Sequence, residues 1–364
     1  MGPVMALILG IESSCDETAV SVVEDGKRVL SNAISSQIAK HAPYGGVIPE
    51  LAAREHLTAV IPVCEEALRT AGVGLDDVSA VAVTHAPGLI PSLLVGINFA
   101  KGLSESRHLP LIGINHFLAH ICGTFLDDPD HSFDDPSLYP IMALVVSGGH
   151  TSIVILRTDG VAHLAGTTLD DAAGEAFDKA AKLLNLGYPG GPVIERLART
   201  GNPSAYRFPR SLTGSAGKPL AEENRYHFSF SGLKTALLYH VNRLGGAEKL
   251  EGQLLADTLA SYQEAITDVL CRKAFDAARH FGARTAILCG GVACNGALRT
   301  RFLETAPRNL QAIAAPKRYC TDNGAMVAGL GWHYFRAGIF AGPDLDAKAR
   351  LPLETKLPFR FDQA

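Results

Sequence analysis

No two of the seven cysteines (Cys15, Cys64, Cys122, Cys271, Cys289, Cys294, Cys320) stand in a C-x-x-C pair, and their odd number suits neither a disulfide framework nor a zinc ribbon. Such usage belongs to a reducing compartment. The chain also lacks a basic excess: a net charge of -4 and a pI near 6.3 exclude a protein that binds nucleic acid over its whole surface. Low-complexity tracts are absent, and charged residues reach only 19% against 47% hydrophobic, which excludes disorder and a fibrous architecture. There is no G-x-x-x-x-G-K-[ST], no G-x-S-x-G and no H-E-x-x-H, so a P-loop, an α/β-hydrolase elbow and a zincin all drop out. Residues 1–10 carry no basic side chain and their apolar run ends at Glu12, which predicts a strand rather than a signal peptide; Ala6 stands where a myristoylation signal needs Ser or Thr. Val78 to Ala100 carries no Asp, Glu, Lys or Arg and is long enough to span a bilayer, but Pro87-Gly88 and Pro91 break it into strand, loop and helix, so no membrane span is expected.

Glycine is abundant, with 36 residues in no period, which points to tight turns and close backbone approaches. Two stretches share a plan. Leu7 to Ile11, the turn Glu12 to Thr18, the strand Ala19 to Val23 and Asp25-Gly26 are matched by Ile141 to Val146, Ser147 to Thr151, Ser152 to Leu156 and Asp159-Gly160. Asp-Gly between alternating apolar runs is a strong hairpin signal. Each meander precedes helical pattern and a buried strand ending in glycine: Ala80 to Val83 before His85-Ala86-Pro87-Gly88, and Thr285 to Cys289 before Gly290-Gly291. Two β-β-β-α-β-α halves predict an α/β protein of two related lobes with a cleft between them. The predicted division is 1–115, 116–325 with a turn-rich insertion at about 187–252, and 326–364 as a helix and tail packing back on the first lobe.

His116 and His120 lie four residues apart on one helix face, a spacing that suits either a shared metal or a satisfied helix face. Asp322, before the apolar helix starting at Ala325, is either a third ligand or that helix's cap. Ser147-Gly148-Gly149 leaves a buried strand in small residues, as an anion-binding concavity or an ordinary turn. Glu12, Asp16 and Glu17 fill the matching turn of the first half; a nucleotide held with a divalent cation would use both turns. Asn295 follows Gly290-Gly291 with an amide able to read a base or ribose. Asp178 lies too far into its helix for the dipole to explain it. From Arg196 to Arg243 eight basic residues face two acids, a local balance of +6, with Tyr206, Phe208, Tyr226, Phe228, Phe230 and Tyr239 interleaved; this is either an RNA surface or a solvated loop.

Taken together, Gly10 to Thr18, Tyr44 to Glu50, Pro87-Gly88-Leu89, Val146 to Thr151, Asp170 to Lys179, Tyr188 to Pro192, Phe228 to Thr235, Gly290-Gly291-Val292 with Asn295, and Thr321 to Met326 closely resemble the TsaD family of tRNA threonylcarbamoyladenosine synthases over about residues 7–340. The resemblance implies an ASKHA fold, like actin, Hsp70 and sugar kinases. It implies transfer of a threonylcarbamoyl group from threonylcarbamoyl-AMP to N6 of adenosine 3′ of the anticodon, in tRNAs reading codons that begin with A. Metal ligands are implied at His116, His120 and Asp322, holding one divalent ion, iron in the family with zinc also suited. Substrate contacts are implied at Val145, Val146, Ser147, Gly148, Gly149, Asp178, Gly191 and Asn295, in a metal-assisted acyl transfer; an ATP- or ADP-type nucleotide also suits the fold. Asp16 and Glu17 are the candidate catalytic carboxylates, and Arg207, Arg210, Arg225 and Lys234 the candidate tRNA contacts. TsaB-like and TsaE-like partners are implied, with a TsaC-like enzyme supplying the donor, in the cytoplasm. One departure is Leu118, where the family usually has an acid. The competing readings are an ASKHA kinase of a small substrate, which needs no paired histidines, and a non-catalytic TsaB-like subunit, which lacks the ligands.

Overall fold

A computed structural model describes residues 5–213, 221–350 and 352–361. The chain forms two compact units, Met1–Ser137 with Thr158–Val161 and Ala315–Ala364, and Leu138–Arg157 with Ala162–Ala314.

In the first unit β1 (Leu7–Glu12), β2 (Glu17–Glu24) and β3 (Arg28–Ser36) form an antiparallel meander. Asp25 and Gly26 close its first hairpin with φ 49° and 70°, the left-handed pair that Asp-Gly supplies cheaply. After α1 (Ile38–His41), α2 (Pro49–Ala71) opens on proline and stops at Gly72, φ 70°, where lack of a Cβ permits the left-handed cap. Then β4 (Ala80–Ala86) pairs parallel to β1, α3 (Ile90–Arg107) carries Pro91 in its first turn, and β5 (Leu111–Asn115) runs straight into α4 (His116–Cys122). The sheet order is β3-β2-β1-β4-β5. Val78 to Ala100 thus resolves into strand, loop and helix, and among the described residues no helix is long and apolar enough to cross a membrane.

The second unit repeats the plan with β6 (Ile141–Val146), β7 (Thr151–Leu156) and β8 (Val161–Thr167), then α5 (Ala173–Leu183), α6 (Gly190–Ala198), α7 (Ser231–Arg243), α8 (Gly252–His280), β9 (Thr285–Cys289), α9 (Gly296–Glu304) and β10 (Gln311–Ala314). Five strands of its six-stranded sheet run β10-β9-β6-β7-β8, the first sheet's order in reverse listing. The duplication read from the turns is therefore present strand for strand. In the insertion, α6 and α7 carry the helical patterns, while the turn Gly214 to Gly217 and Lys218 lie outside the described residues.

Two boundaries differ from the expected 115/116 and 325/326. No loop separates β5 from α4, so His116 and His120 belong with the first unit. A cut at 325 would also bisect α10 (Gly324–Arg336), which packs on β1 so closely that a Cβ on Gly10 would lie 2.3 Å from the Gly324 carbonyl oxygen. Residues 315–364, with the short strand Glu354–Lys356, likewise group with the first unit.

Candidate metal centre and glycine-rich turn

The carboxyl end of β1 delivers Glu12 into the first unit's interior, with none of its surface exposed. A buried carboxylate is costly unless its lone pairs are used, and here they are. Its Oε1 accepts the Ser14 N–H at 2.6 Å, and its Oε2 accepts the Thr84 hydroxyl at 2.6 Å and lies 3.1 Å from His116 Nδ1. Burial alone would raise Glu12, but His116 outweighs it and holds the carboxyl below its ordinary value. With the Nδ1 proton given to Glu12, His116 Nε2 faces Asp322 Oδ1 at 3.5 Å.

One helical turn on, His120 is 1% exposed, and its Nε2 sits 3.1 Å from the same Asp322 oxygen without hydrogen-bond geometry. Neither His120 ring nitrogen has a hydrogen-bond partner. Burial, then the neighbouring His116, pull its pKa down and keep the ring neutral, the form that coordinates metal. On His116 burial acts in the same downward direction, yet Asp322 and Glu12 overcome it and push it up to about 9.

Asp322 reaches the pair from the segment before α10. The alternative role of cap is filled by its neighbour: Asn323 Oδ1 accepts the Met326 N–H at 3.0 Å. Asn115 caps α4 in the same way through the Leu118 N–H at 3.1 Å. The three ligand atoms of His116, His120 and Asp322 lie within 4.8 Å of one another. An orphaned, buried imidazole nitrogen beside a second imidazole and a carboxylate fits a divalent cation, and the mixed nitrogen and oxygen donors suit iron or zinc. Leu118 is buried at 1% exposure, and a carboxylate in contact with His116 is Glu12. Asp16 and Glu17 are half-buried at the start of β2, and burial, Asp16 and Asp322 push Glu17 up to about 9.

The corresponding turn of the second unit is open. Ser147 N–H donates to the His150 carbonyl at 2.8 Å, while Gly148 and Gly149 are exposed and a Cβ on either would meet nothing within 4 Å. Val145 and Val146 are interior residues of β6, able to offer a ligand only backbone. Beneath the turn, Gly174 at the start of α5 comes so close that a Cβ would lie 2.6 Å from the Ser147 carbonyl oxygen. Gly290 leaves β9 with φ 90°, its Cβ position 2.5 Å from the Val146 carbonyl oxygen. Gly191 is open, whereas Asp178 Oδ1 accepts the Gly190 N–H at 2.7 Å and so joins α5 to α6.

Several of the candidate contact residues are engaged within the protein. Asn295 does not present a free amide: its Oδ1 caps α9 through the Leu298 N–H at 3.0 Å, and its Nδ2 donates to Gln263 Oε1 at 2.7 Å. Of the candidate RNA contacts, Arg210 pairs with Asp268 at 3.3 Å and Arg225 with Asp276 at 2.9 Å, because the long helix α8 presents acids that the local count of charge ignored. Arg207 and Lys234 are exposed. Ahead of α5, Asp170 accepts four hydrogen bonds from Ser229, Phe230 and Ser231, pinning the residues that lead into α7.

A duplicated α/β chain with a buried His-His-Asp cluster in one half and an open glycine-rich turn in the other has the architecture of an ASKHA fold. Solved structures of that architecture agree in fold alone: HypF from T. kodakarensis superposes with a TM-score of 0.57 at 16% identity, covering 94% of this chain and 49% of that one. Component A of the Acidaminococcus fermentans (R)-2-hydroxyglutaryl-CoA dehydratase gives 0.52 at 14%, covering 89% and 96%. The sequence is more specific. The family described as TsaD, tRNA N6-adenosine threonylcarbamoyltransferase, matches residues 28–329. The tRNA N6-adenosine threonylcarbamoyltransferase of Symbiobacterium thermophilum is 49% identical over 348 residues, 95% of this chain and 97% of its own, and that of Syntrophus aciditrophicus 48% over 355 residues, 97% and 100%. The chain belongs to the TsaD family, and it is a transferase that modifies adenosine in tRNA.

Proposed function

We propose that this protein transfers the threonylcarbamoyl group of threonylcarbamoyl-AMP to N6 of the adenosine 3′ of the anticodon, with His116, His120 and Asp322 holding one divalent cation, iron or zinc. When bound, that cation supplies Lewis-acid polarisation of donor oxygens. Glu12 fixes the tautomer and orientation of His116, as a carboxylate behind a metal-binding imidazole does. The open Ser147 to Gly149 backbone holds the donor, and the small residues at Gly148, Gly149 and Gly191 let it approach. Asp178 and Asn295 act through position, shaping the Gly190 and Gly291 turns rather than offering free side chains. The adenosine amine attacks the carbamoyl carbon, the bond from that carbon to the phosphate oxygen breaks, AMP leaves and the amine proton passes to Asp16. Glu17, whose carboxyl burial and then Asp16 push up, is the hydrogen-bonding partner of that base.

The observation that carries this reading is the buried His116-His120-Asp322 cluster, in which His120 Nδ1 has no hydrogen-bond partner among the described residues. Family membership adds TsaB-like and TsaE-like partners, a TsaC-like source of donor, and the cytoplasm. The test is to reconstitute the protein with those partners and an unmodified tRNA, and to quantify threonylcarbamoyladenosine by nucleoside mass spectrometry with and without chelation. Product formation that survives complete metal removal would contradict the cation's role.

A further inference from the structure

The insertion builds a groove that the acyl-transfer chemistry does not use. It measures about 500 Å³ and lies between residues 205–208 and α7, lined by Tyr206, Arg207, Phe208, Tyr239, His240 and Arg243 with two alanines. No acid lines it. Tyr239 is 69% exposed, an unusual position for so large a ring on a helix whose opposite face (Leu233, Leu237, Val241) is well buried. Arg243 follows it by one helical turn and donates from Nη2 to His240 Nδ1 at 3.2 Å. His240 is itself buried and held by Thr258 at 3.2 Å, and burial, then Arg243, keep the ring below its ordinary pKa as a neutral acceptor. The Arg243 guanidinium is therefore positioned by the protein without being neutralised. Across the groove the Tyr206 ring meets His240 edge-on at 4.4 Å, and Arg207 is exposed. Neither Arg207 nor Arg243 forms an ion pair among the described residues, in contrast to Arg210 and Arg225, whose charges α8 cancels.

We propose that this groove binds an unpaired nucleotide of the substrate tRNA, with the base stacked on Tyr239 and the adjoining phosphate held by Arg207 and Arg243. Exposed aromatic faces beside unpaired arginines, with no carboxylate to repel phosphate, are what recognition of single-stranded RNA requires. The inference rests on tRNA being the substrate and adds where the RNA is gripped.

The test is fluorescence anisotropy of an unmodified transcript of a tRNA reading codons that begin with adenine, titrated with the full chain at several salt concentrations. Tyr239→Ala should weaken binding roughly 30-fold, the mid-range of base-aromatic stacking, with an unchanged salt slope and melting temperature; Tyr239→Phe should bind within about twofold of the natural protein, since it keeps the ring. Arg207→Gln and Arg243→Gln should each lower the slope of log affinity against log salt by about 0.7. Binding by Tyr239→Ala equal to that of a natural protein that does bind and modify tRNA overturns the groove alone. A natural protein that neither binds nor modifies tRNA overturns the functional reading with it. Displacement of the tRNA by free AMP from the natural protein, lost in Tyr239→Ala, would assign the groove to a mononucleotide and also overturn the proposal.

Discussion

The turns that follow β1 and β6 occupy equivalent places in two sheets of one strand order, yet they have opposite characters. The first is buried and charged: Glu12 has no exposed surface, and its oxygens meet Ser14, Thr84 and His116. The second is exposed and bare, with two glycines whose Cβ positions meet nothing within 4 Å. One topology thus carries a pre-arranged electrostatic site in one copy and an open backbone cradle in the other. A site that fixes a cation needs its ligands oriented beforehand, whereas one that admits a bulky donor needs space.

The sharpest way to break the contrast is to remove a ligand from the first turn's neighbourhood. His120→Ala should abolish tRNA modification and bound metal together, as read by nucleoside and elemental mass spectrometry. Glu12→Gln keeps the ligands but removes the charge behind His116; metal affinity should fall about 10- to 100-fold, measured by competition with a chelator. If affinity were unchanged, the charged character of this turn would be incidental.

The same contrast extends to acid. The first unit also buries His333 on α10, at 3% exposure and with an unpartnered Nδ1; burial, with Arg336 adding to it against Asp134, brings its pKa down to about 4. The unfolded chain takes up this proton near pH 6.5 and the folded one only near 4, so stability is lost as pH falls through that window. The loss amounts to about 3 kcal/mol at 1.36 kcal/mol per pH unit. Urea melts from pH 7 to 4 should show it, and His333→Gln should flatten the dependence.

Smaller effects separate the glycines. Gly174→Ala would bring a methyl within 2.6 Å of the Ser147 carbonyl and should cost about 1–3 kcal/mol in denaturant melts. Gly148→Ala meets nothing and should change stability by less than about 0.5 kcal/mol, while weakening use of the donor. Equal stability losses for the two would mean that the turn is packed rather than open.

The repeat was legible because Asp-Gly hairpins and apolar alternation are local signals, and they brought out both meanders. The metal triad was half legible: His116 and His120 share a helix face by spacing, but Asp322 could equally have capped α10 until Asn323 was seen in that role. Glu12 was visible as a turn acid, and nothing local reveals that it lies against a histidine 104 positions away. The net charge of the insertion is lowered by distant partners for the same reason. Arg210 and Arg225 are neutralised by Asp268 and Asp276, residues outside the stretch whose charge was counted. Asn295, too, is occupied by Gln263, 32 positions earlier. Local pattern predicts elements and turns, while long-range pairing decides which polar groups remain free.

The most direct test of the central claim, that Glu12, His116, His120 and Asp322 form one cation site required for tRNA modification, is parallel measurement of bound metal and threonylcarbamoyladenosine formation in the natural protein and in Asp322→Asn, matched for melting temperature. The account predicts that both fall together and that neither recovers in the variant at metal concentrations that saturate the natural protein. Full modification by a metal-free Asp322→Asn protein would contradict it.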